Sequence, residues 1–524
     1  MIKPNLFRFL HCKVTIQLFV GLVFLCSCNQ LLQAQSTRAN PNIIVIYADD
    51  VGYGDIGAYG AKQVSTPAID NLAENGLRFT NGYATAATCT PSRYSLLTGE
   101  YAFRNNRARI LSGSAPLLIK PGSTTMATVL QQAGYKTSIV GKWHLGLGDG
   151  KVNWNEEVKP GPLEVGFDES FIMPATNDRV PTVYLNGHRV HNLSEEDKPL
   201  RISYQHKIGD LPTGRSHPEL LRYPADGQHS GTIVNNISRI GWQSGGQSTW
   251  WKDEDMPFVW VEQSEKFIEG NRNNPFFLFL SLHEAHSPRA PHPKFLYQSD
   301  SGIRGDVIHE MDWIVKQVMN KLEKLNLREN TLVIFTSDNG PVTEDGYRDR
   351  TMPHINGHEA NGPLRGGKYL AYEGGTRVPF IVSWPKGITP GTSDAIVSQV
   401  DLLASISDLT GVTLPNAAGA DSRNLLSVLL GKQDQGREHV VQQSPGGLSI
   451  RKGKWKLIPA ETAAPKWAAA RHSDPRNPIR TEVWPDRDAL YNLENDQDES
   501  ENVAQQHPGK VKELRQLLEE IRDQ

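Results

Sequence analysis

The chain has 524 residues, of which 38% are hydrophobic and 22% are charged, and its formal net charge is -3. This is the composition of an ordinary globular protein that can bury a large core, and we expect one large domain and a smaller one. A net charge so close to zero gives no indication of nucleic acid or an anionic membrane surface as a partner. Any anion that the protein binds must therefore be met by a local group of positive charges.

The N-terminal segment has the pattern of an export signal. Lys3, Arg8 and Lys13 precede an apolar run at residues 14–26. This run is long enough for the hydrophobic part of a signal peptide and short for a membrane-spanning helix. We therefore predict a signal peptide over residues 1–34 and export to the periplasm or cell surface of a bacterium, or secretion.

The end of this segment allows more than one form of processing. Leu25-Cys26-Ser27-Cys28 resembles a bacterial lipobox, in which a lipidated Cys28 becomes the first residue of the mature protein. Cysteine in the second position is unusual for that motif. Ordinary cleavage near Ala34 and an uncleaved apolar anchor are the alternatives.

One cysteine stands apart from the others. Cys12, Cys26 and Cys28 lie in the targeting segment, which leaves Cys89 alone in the body of the protein, where no internal disulfide can form. Exported proteins normally pair their thiols or avoid them, so a single remaining cysteine indicates a reactive or modified group. The alternative is a buried, inert thiol that packs as a small apolar side chain.

Short apolar runs rich in β-branched residues predict the strands of a large sheet. The run Asn42–Ala48 ends in two carboxylates, and a second run at residues 332–336 repeats this pattern. We predict further strands at residues 137–140, 276–281 and 379–383, and helices at residues 65–75, 124–133, 305–325 and 394–409. Strands that alternate with helices indicate an α/β fold, with a large, mostly parallel central sheet sandwiched by helices.

The C-terminal part of the chain has a different pattern. Short alternating strands are predicted at residues 447–451 and 455–458, and a charged helix is predicted at residues 508–523. We therefore expect a large domain at residues 40–435 and a smaller C-terminal α+β domain at residues 436–524.

Polar side chains follow the two runs that end in carboxylates. Asp49 and Asp50 follow the first run, and Asp338 and Asn339 follow the second. Ligands of α/β folds bind beyond the carboxyl ends of the strands, and carboxylate and amide oxygens suit Ca²⁺ rather than Zn²⁺. Either pair alone could equally cap a helix or face solvent, but two pairs at two strand ends favour a metal site.

The segment CTPSR at residues 89–93, followed by LTG at residues 97–99, matches the C-x-P-S-R signature at which maturation enzymes oxidise cysteine to formylglycine. With this motif the chain resembles the type I, formylglycine-dependent sulfatases of the alkaline phosphatase superfamily. Further motifs in the family's order cover most of residues 40–390. Together with LYNL at residues 490–493, the order of motifs most resembles relatives of arylsulfatase A and N-acetylgalactosamine-6-sulfatase.

The resemblance implies an alkaline phosphatase-like fold, one Ca²⁺ ion, and conversion of Cys89 to formylglycine (3-oxoalanine) by a formylglycine-generating maturation enzyme. One hydroxyl of the hydrated aldehyde would attack the sulfur of a sulfate ester, and deprotonation of the other would expel sulfate. The implied metal ligands are Asp49, Asp50, Asp338, Asn339 and the modified Cys89.

The resemblance also assigns roles to basic side chains around the ester. Arg93 would hold the nucleophile and offset carboxylate charge, and Lys142 and Lys368 would bind the sulfate oxygens. His144 would be the base that drives elimination, and His283 would contact the ester oxygen and protonate the leaving group as general acid. These groups and the metal would supply the positive field that the near-neutral chain lacks as a whole.

Other polar residues are weaker candidates for the substrate pocket. They are His286, His292, the cluster Asn177-Asp178-Arg179 and residues 354–358. Ordinary polar surface loops are the alternative for each of them. Residues 177–253 are rich in Gly, Pro, Ser and His, which is typical of loops inserted over a pocket.

The predicted function is hydrolysis of sulfate esters on a sulfated carbohydrate, such as a fragment of a glycosaminoglycan or an algal polysaccharide. One alternative is a phosphonate or phosphate ester hydrolase of the same superfamily, although Lys142, His144 and Lys368 together favour sulfate. A second alternative is a non-catalytic carbohydrate-binding lipoprotein, against which the intact CTPSR segment argues. No nucleic-acid partner is expected.

Overall fold

The computed structural model describes Met1, residues 40–472 and residues 487–524. The predicted signal sequence and the lipobox cysteine Cys28 lie outside the described residues, so export and lipidation stay predictions. Within the residues that the structure describes, no helix is both long and apolar enough to cross a membrane.

The regular elements are numbered in chain order over the described residues. The strands are β1 Asn42–Ala48, β2 Leu77–Tyr83, β3 Lys136–Lys142, β4 Glu169–Met173, β5 Leu185–Asn186, β6 Arg189–Val190, β7 Arg201–Ser203, β8 Ile233–Val234, β9 Ile237–Ser238, β10 Trp242–Ser244, β11 Phe276–Ser281, β12 Thr331–Ser337, β13 Phe380–Ser383, β14 Gly391–Ser398, β15 His439–Ser444, β16 Gly447–Lys452, β17 Trp455–Ile458 and β18 Ala489–Asn492. The α-helices are α1 Pro67–Glu74, α2 Cys89–Thr98, α3 Met126–Gln132, α4 Met256–Gly270, α5 Gly302–Lys324, α6 Thr351–His354, α7 Glu373–Thr376, α8 Leu402–Thr410, α9 Leu426–Leu429, α10 Lys466–Ala470 and α11 Pro508–Asp523.

A ten-stranded mixed sheet forms the centre of the large domain, in the order β14-β2-β13-β12-β1-β11-β3-β4-β5-β6. The five strands from β12 to β4 in this order run parallel. Strand β13 runs antiparallel to both of its neighbours, and β5 runs antiparallel to β4. The predicted parallel arrangement therefore holds for the middle of the sheet, and antiparallel strands extend it on both sides.

Apolar layers cover both faces of this sheet. Ile43 and Val45 belong to a cluster that includes residues of α3 and α8, whereas Ile44 and Ile46 belong to a second cluster with residues of α4 and α5. Because alternate side chains of β1 are buried on opposite faces, its sequence is apolar throughout rather than alternating. The predicted sheet between two layers of helices is confirmed.

One predicted helix begins later than expected. Residues 394–409 were predicted as helical, but Gly391–Ser398 forms strand β14 and the helix α8 begins at Leu402. The apolar residues Ile396 and Val397 pair with strand β2 in the ladder. Their spacing to the apolar residues of α8 continues the helical repeat, so periodicity alone placed both segments in one helix.

The C-terminal part forms the predicted α+β unit. Strands β15 to β18 make an antiparallel four-stranded sheet in sequence order. Helix α11 packs Leu514, Leu518 and Ile521 into the same apolar cluster as Ile450 and Leu457 of this sheet. The boundary predicted at residue 436 remains a prediction.

A buried ion cluster joins this unit to the large domain. Lys456 of β17 lies 3.0 Å from Glu373 of helix α7 and 3.2 Å from Glu499, and all three side chains are fully buried. Burial alone would raise the pKa of Glu373, but Lys456, Arg451 and Arg377 lower it to about 2. Glu373 is therefore ionised and depends on its cationic partners.

We expect Lys456→Ala to lower the free energy of unfolding by about 3–5 kcal/mol, because it leaves the charge of Glu373 buried without its nearest partner. Urea denaturation followed by circular dichroism measures the change. Lys454→Ala is the matched control, since Lys454 pairs with Glu494 at 2.9 Å on the surface. That variant should lose less than about 1 kcal/mol. Equal losses in the two variants would show that the buried cluster does not hold the domains together.

Candidate active site

The four predicted acidic and amide ligands meet at one edge of the sheet. Strands β1 and β12 are parallel and in register, with Ala48 opposite Ser337, so the residues that follow them lie side by side. The backbone N–H of Asp338 donates to the carbonyl of Ala48 at 3.0 Å. Asp49, Asp50, Asp338 and Asn339 are all buried at this edge.

Cys89 lies directly beside these carboxylates as the first residue of helix α2. Its Sγ lies 3.6 Å from Asp49 Oδ1, within hydrogen-bond reach for sulfur. Single ligand atoms of Asp49, Asp50, Cys89 and Asp338 all lie within 4.8 Å of one another. Burial and the carboxylate of Asp338 raise the pKa of the Cys89 thiol, so the unmodified side chain is a poor nucleophile.

Three buried cations pair with the three carboxylates. The pairs are Lys142 with Asp49, Arg93 with Asp338, and Lys368 with Asp50. The Arg93 Nε donates to Asp338 Oδ2 at 3.0 Å, and the Lys368 Nζ donates to Asp50 Oδ2 at 2.9 Å. The charges of these six side chains cancel, so a bound divalent cation would leave the group positive toward an anionic ester.

The donor atoms fit a hard divalent cation. Asn339 Nδ2 donates to Asp50 Oδ1 at 2.7 Å, whereas Asn339 Oδ1 is buried and accepts no hydrogen bond from the described residues. A buried amide oxygen without a donor lacks a partner that a metal ion would supply. Together with the carboxylates of Asp49, Asp50 and Asp338, it forms an all-oxygen set of the kind that Ca²⁺ prefers.

His144 lies at the wall of the same site in a defined tautomer. Its Nε2 lies 2.9 Å from the carbonyl oxygen of Leu111, so Nε2 carries the proton and donates it. Its Nδ1 is buried and has no hydrogen-bond partner in the described part of the chain. Burial and the nearby Lys142 hold the pKa of His144 well below its usual range. The ring is therefore neutral and offers a free lone pair on Nδ1, as a base requires.

The structure brings His286 rather than His283 to Cys89. A ring nitrogen of His286 lies within 4.8 Å of both the Cys89 Sγ and a carboxylate oxygen of Asp49. Its Nδ1 lies 2.6 Å from the carbonyl of Ser287, which assigns the proton to Nδ1 and leaves Nε2 as the nitrogen that can exchange a proton with a ligand.

His283 is a packing residue in this structure. Its Nδ1 accepts a hydrogen bond from Trp260 Nε1 at 3.2 Å, and the two rings pack edge to face. Burial lowers the pKa of His283 to about 3, so the ring is neutral. It does not line the cavity that reaches Cys89, unlike His286. His286, which lines the cavity, is therefore in a position to make the contact with the ester oxygen that the sequence predicted for His283.

A cavity of about 490 Å³ opens above Cys89, His144, His286 and Lys368. Its other lining residues are Ile110, Leu111, Ser112, Asp178, Arg179, Tyr204, Gln228, His229, Ile240, Asp345, Tyr369, Trp467 and Arg471. The predicted cluster thus contributes Asp178 and Arg179.

Two further predictions for the pocket are placed elsewhere. His292 packs its ring against Phe258, and the His358 Nε2 of the predicted segment 354–358 lies 2.9 Å from the Asp55 Oδ1. Neither histidine lines the cavity.

A chain of ion pairs runs along one side of the cavity, and we call it the charged wall. Its members are Arg179, Asp178, His229, Asp226, Arg471 and Asp345. All of them line the cavity except Asp226, which joins His229 to Arg471. His229 lies 2.7 Å from Asp226 and 3.6 Å from Asp178, and Asp345 lies 3.3 Å from Lys368. Burial alone would lower the pKa of His229, but its two carboxylate partners raise it. The wall therefore runs without interruption from the site of Lys368 to Arg179.

This geometry places a buried cysteine beside a group of oxygen donors that could hold a cation, at the carboxyl ends of parallel strands, where the ligands of α/β folds bind. Such an arrangement suits the hydrolysis of an anionic ester. A family model described as Sulfatase matches residues 41–412, and the chain belongs to this family. It is therefore a sulfuric ester hydrolase, as the motifs predicted.

Individual relatives agree with this assignment. The chain is 45% identical over 513 residues to an N-acetylgalactosamine-6-O-sulfatase of Bacteroides thetaiotaomicron, which covers 97% of this chain and 98% of the relative. It is 32% identical over 430 residues to human arylsulfatase A, covering 79% of this chain and 74% of the relative. A solved sulfatase structure from work on glycosaminoglycan metabolism by B. thetaiotaomicron superimposes with a TM-score of 0.86 at 45% identity, covering 93% of this chain and 100% of the other.

Proposed function

We propose that this sulfatase removes the 6-O-sulfate from N-acetylgalactosamine in fragments of glycosaminoglycans. The observation that carries the proposal is the 45% identity, over nearly the whole of both chains, to a relative named for that reaction. The cavity suits a sugar ester, because Lys368, which would bind the sulfate, lines it together with polar side chains such as Asp178 and Arg179. The signal pattern adds export to the periplasm or cell surface to the proposal, with lipidation of Cys28 as one form of it.

We propose that Cys89 is converted to formylglycine by a maturation enzyme and that one Ca²⁺ ion is held by Asp49, Asp50, Asp338 and Asn339. The hydrated aldehyde supplies two hydroxyl groups, one as nucleophile and one for release of sulfate, and the ion supplies positive charge that favours their deprotonation. The raised pKa of the Cys89 thiol supports the need for this conversion.

The basic residues around this nucleophile then have separate tasks. Lys142 and Lys368 bind the sulfate oxygens and offset charge that develops on them in the transition state. Arg93 holds Asp338 in place through its guanidinium. His144 accepts a proton on Nδ1 when sulfate is released. His286 takes the role predicted for His283: its free Nε2 takes up a proton from solvent when the anionic ester is bound, because the negative charge of the sulfate favours the protonated ring, and it gives this proton to the leaving sugar oxygen.

The charged wall is suited to the sugar itself. Carboxylates such as Asp178 accept hydrogen bonds from hydroxyl groups, and cations such as Arg179 and His229 donate to them. Because these side chains already satisfy one another, they are held in fixed positions before a substrate arrives. We propose that they select the arrangement of hydroxyls on the sugar ring.

Sulfate release from N-acetylgalactosamine 6-sulfate tests the proposed function, with the matured enzyme in the presence of Ca²⁺. We expect turnover of this sugar and much less from its 4-sulfate isomer, since only one ester position can reach the nucleophile while the ring contacts the wall. Ion chromatography of free sulfate gives the rate.

Chelation of divalent cations should remove this activity, and Ca²⁺ should restore it better than Zn²⁺, because the ligands are oxygens. The 6-phosphate of the same sugar is the control for the phosphatase alternative. A faster rate on the phosphate, or full activity after chelation, would contradict the proposal.

A further inference from the structure

The short helix α10 carries an aromatic side chain into the cavity from the C-terminal side. Trp467 is 48% exposed, although it is one of the largest apolar side chains of the protein. It lines the same cavity as Cys89 and Lys368. An exposed tryptophan at the mouth of a polar site indicates a surface that a ligand covers, because its large apolar face remains in contact with water without one.

Contacts behind the indole hold it in place. The Trp467 ring packs edge to face on Tyr369, with ring centroids 5.0 Å apart. The Tyr369 hydroxyl donates to Asp345 Oδ2 at 2.6 Å, and the neighbouring Lys368 contacts the same carboxylate at 3.3 Å. Trp467 is therefore connected through Tyr369 and Asp345 to Lys368, the lysine proposed to bind the sulfate.

The same segment is fixed to the large domain at a second point. His472 Nε2 lies 2.9 Å from the carbonyl oxygen of Lys368, and Arg471 Nε lies 3.2 Å from Asp345 Oδ1. Helix α10 follows strand β17 in the chain, so these contacts bring part of the C-terminal unit to the active site. Several independent contacts thus fix the position of the Trp467 indole relative to Lys368.

We propose that Trp467 is a stacking platform for the sugar ring of the substrate, a role that rests on the proposed function. A pyranose ring has polar hydroxyls at its edge and an apolar face of C–H groups. With the sulfate at Lys368 and the hydroxyls at the charged wall, the apolar face still needs an apolar partner, and the exposed indole provides one. The C-terminal domain therefore takes part in choosing the substrate.

Kinetics of Trp467→Ala on N-acetylgalactosamine 6-sulfate test this proposal. We expect KM to rise about tenfold and kcat to stay nearly constant, because the platform binds ground state and transition state alike. The inhibition constant of inorganic sulfate should stay unchanged, since free sulfate reaches Lys368 but lacks a ring to stack. Trp467→Phe should keep a KM close to that of the wild type.

Tyr297→Ala is the matched control, because Tyr297 is 84% exposed and does not line the cavity. An unchanged KM in Trp467→Ala would contradict the proposal that Trp467 is a stacking platform. Parallel rises in KM and in the sulfate inhibition constant would also overturn it, since Trp467 would then act only by positioning Lys368. Wild-type enzyme that releases sulfate from aryl esters and from no sugar would instead refute the proposed function, and the platform with it.

Discussion

Cys89→Ala is expected to reduce sulfate ester hydrolysis by at least about 10⁴-fold, because it removes the atom from which the nucleophile is made. No other described side chain in the group offers a replacement, since the neighbouring carboxylates are each paired with a cation. The initial rate of sulfate release under saturating substrate measures the loss.

Stability separates this effect from misfolding. Cys89 is buried at the start of helix α2, and alanine lacks only the sulfur of the thiol or the oxygen of the aldehyde made from it, so the thermal midpoint should change little. Cys89→Ser should be active only in a host whose maturation system accepts serine. Residual activity near the wild-type rate in Cys89→Ala would rule out Cys89 as the source of the nucleophile.

His286→Ala should lower kcat/KM on sugar sulfates by about 10²–10⁴-fold, the usual contribution of a general acid. The loss should be much smaller for 4-nitrophenyl sulfate, whose leaving group departs without a proton. This difference follows from the position of His286, which has a ring nitrogen within 4.8 Å of the Cys89 Sγ. Parallel assays of the two substrates with one enzyme preparation measure it.

His283→Ala provides the matched control for this comparison. It removes the acceptor of the Trp260 indole N–H, so the buried donor is left unsatisfied and stability should fall by about 1–3 kcal/mol. Its activity should fall to a similar extent on both substrates. A leaving-group dependence in His283→Ala and none in His286→Ala would return the acid role to the residue expected from the sequence.

Much of the inner site could be predicted because its acidic and amide residues directly follow two buried strands. The continuous apolar runs of β1 and β12 marked two buried strands, and the acidic residues after them had to meet at one sheet edge. The CTPSR motif singled out Cys89, which begins helix α2 beside these residues. Sequence position and fold together were enough to predict that Asp49, Asp50, Asp338 and Asn339 lie together beside Cys89.

The choice between His283 and His286 could not be made in this way. Strand β11 ends at Ser281, and beyond that residue the alternation of side chains no longer fixes which one faces the site. Only the tertiary structure shows that Trp260 holds the first histidine and that the second reaches Cys89.

The charged wall was mostly hidden in the sequence for a related reason. Asp178, His229, Asp345 and Arg471 come from four separate segments, and no spacing along the chain connects them. Asp178 and Arg179 could be recognised in the sequence as a polar cluster in a loop. Trp467 belongs to the C-terminal unit, and no motif around it predicts that it lines the cavity. Side chains that meet only through folding have no local pattern to detect.

The most direct test of the central claim is mass spectrometry of the peptide that contains Cys89, from protein purified from its own exporting host. Conversion to formylglycine removes sulfur and lowers the mass of that peptide. We predict that the active enzyme carries the aldehyde at this position. Fully active protein in which Cys89 is found only as the unmodified thiol would contradict the account.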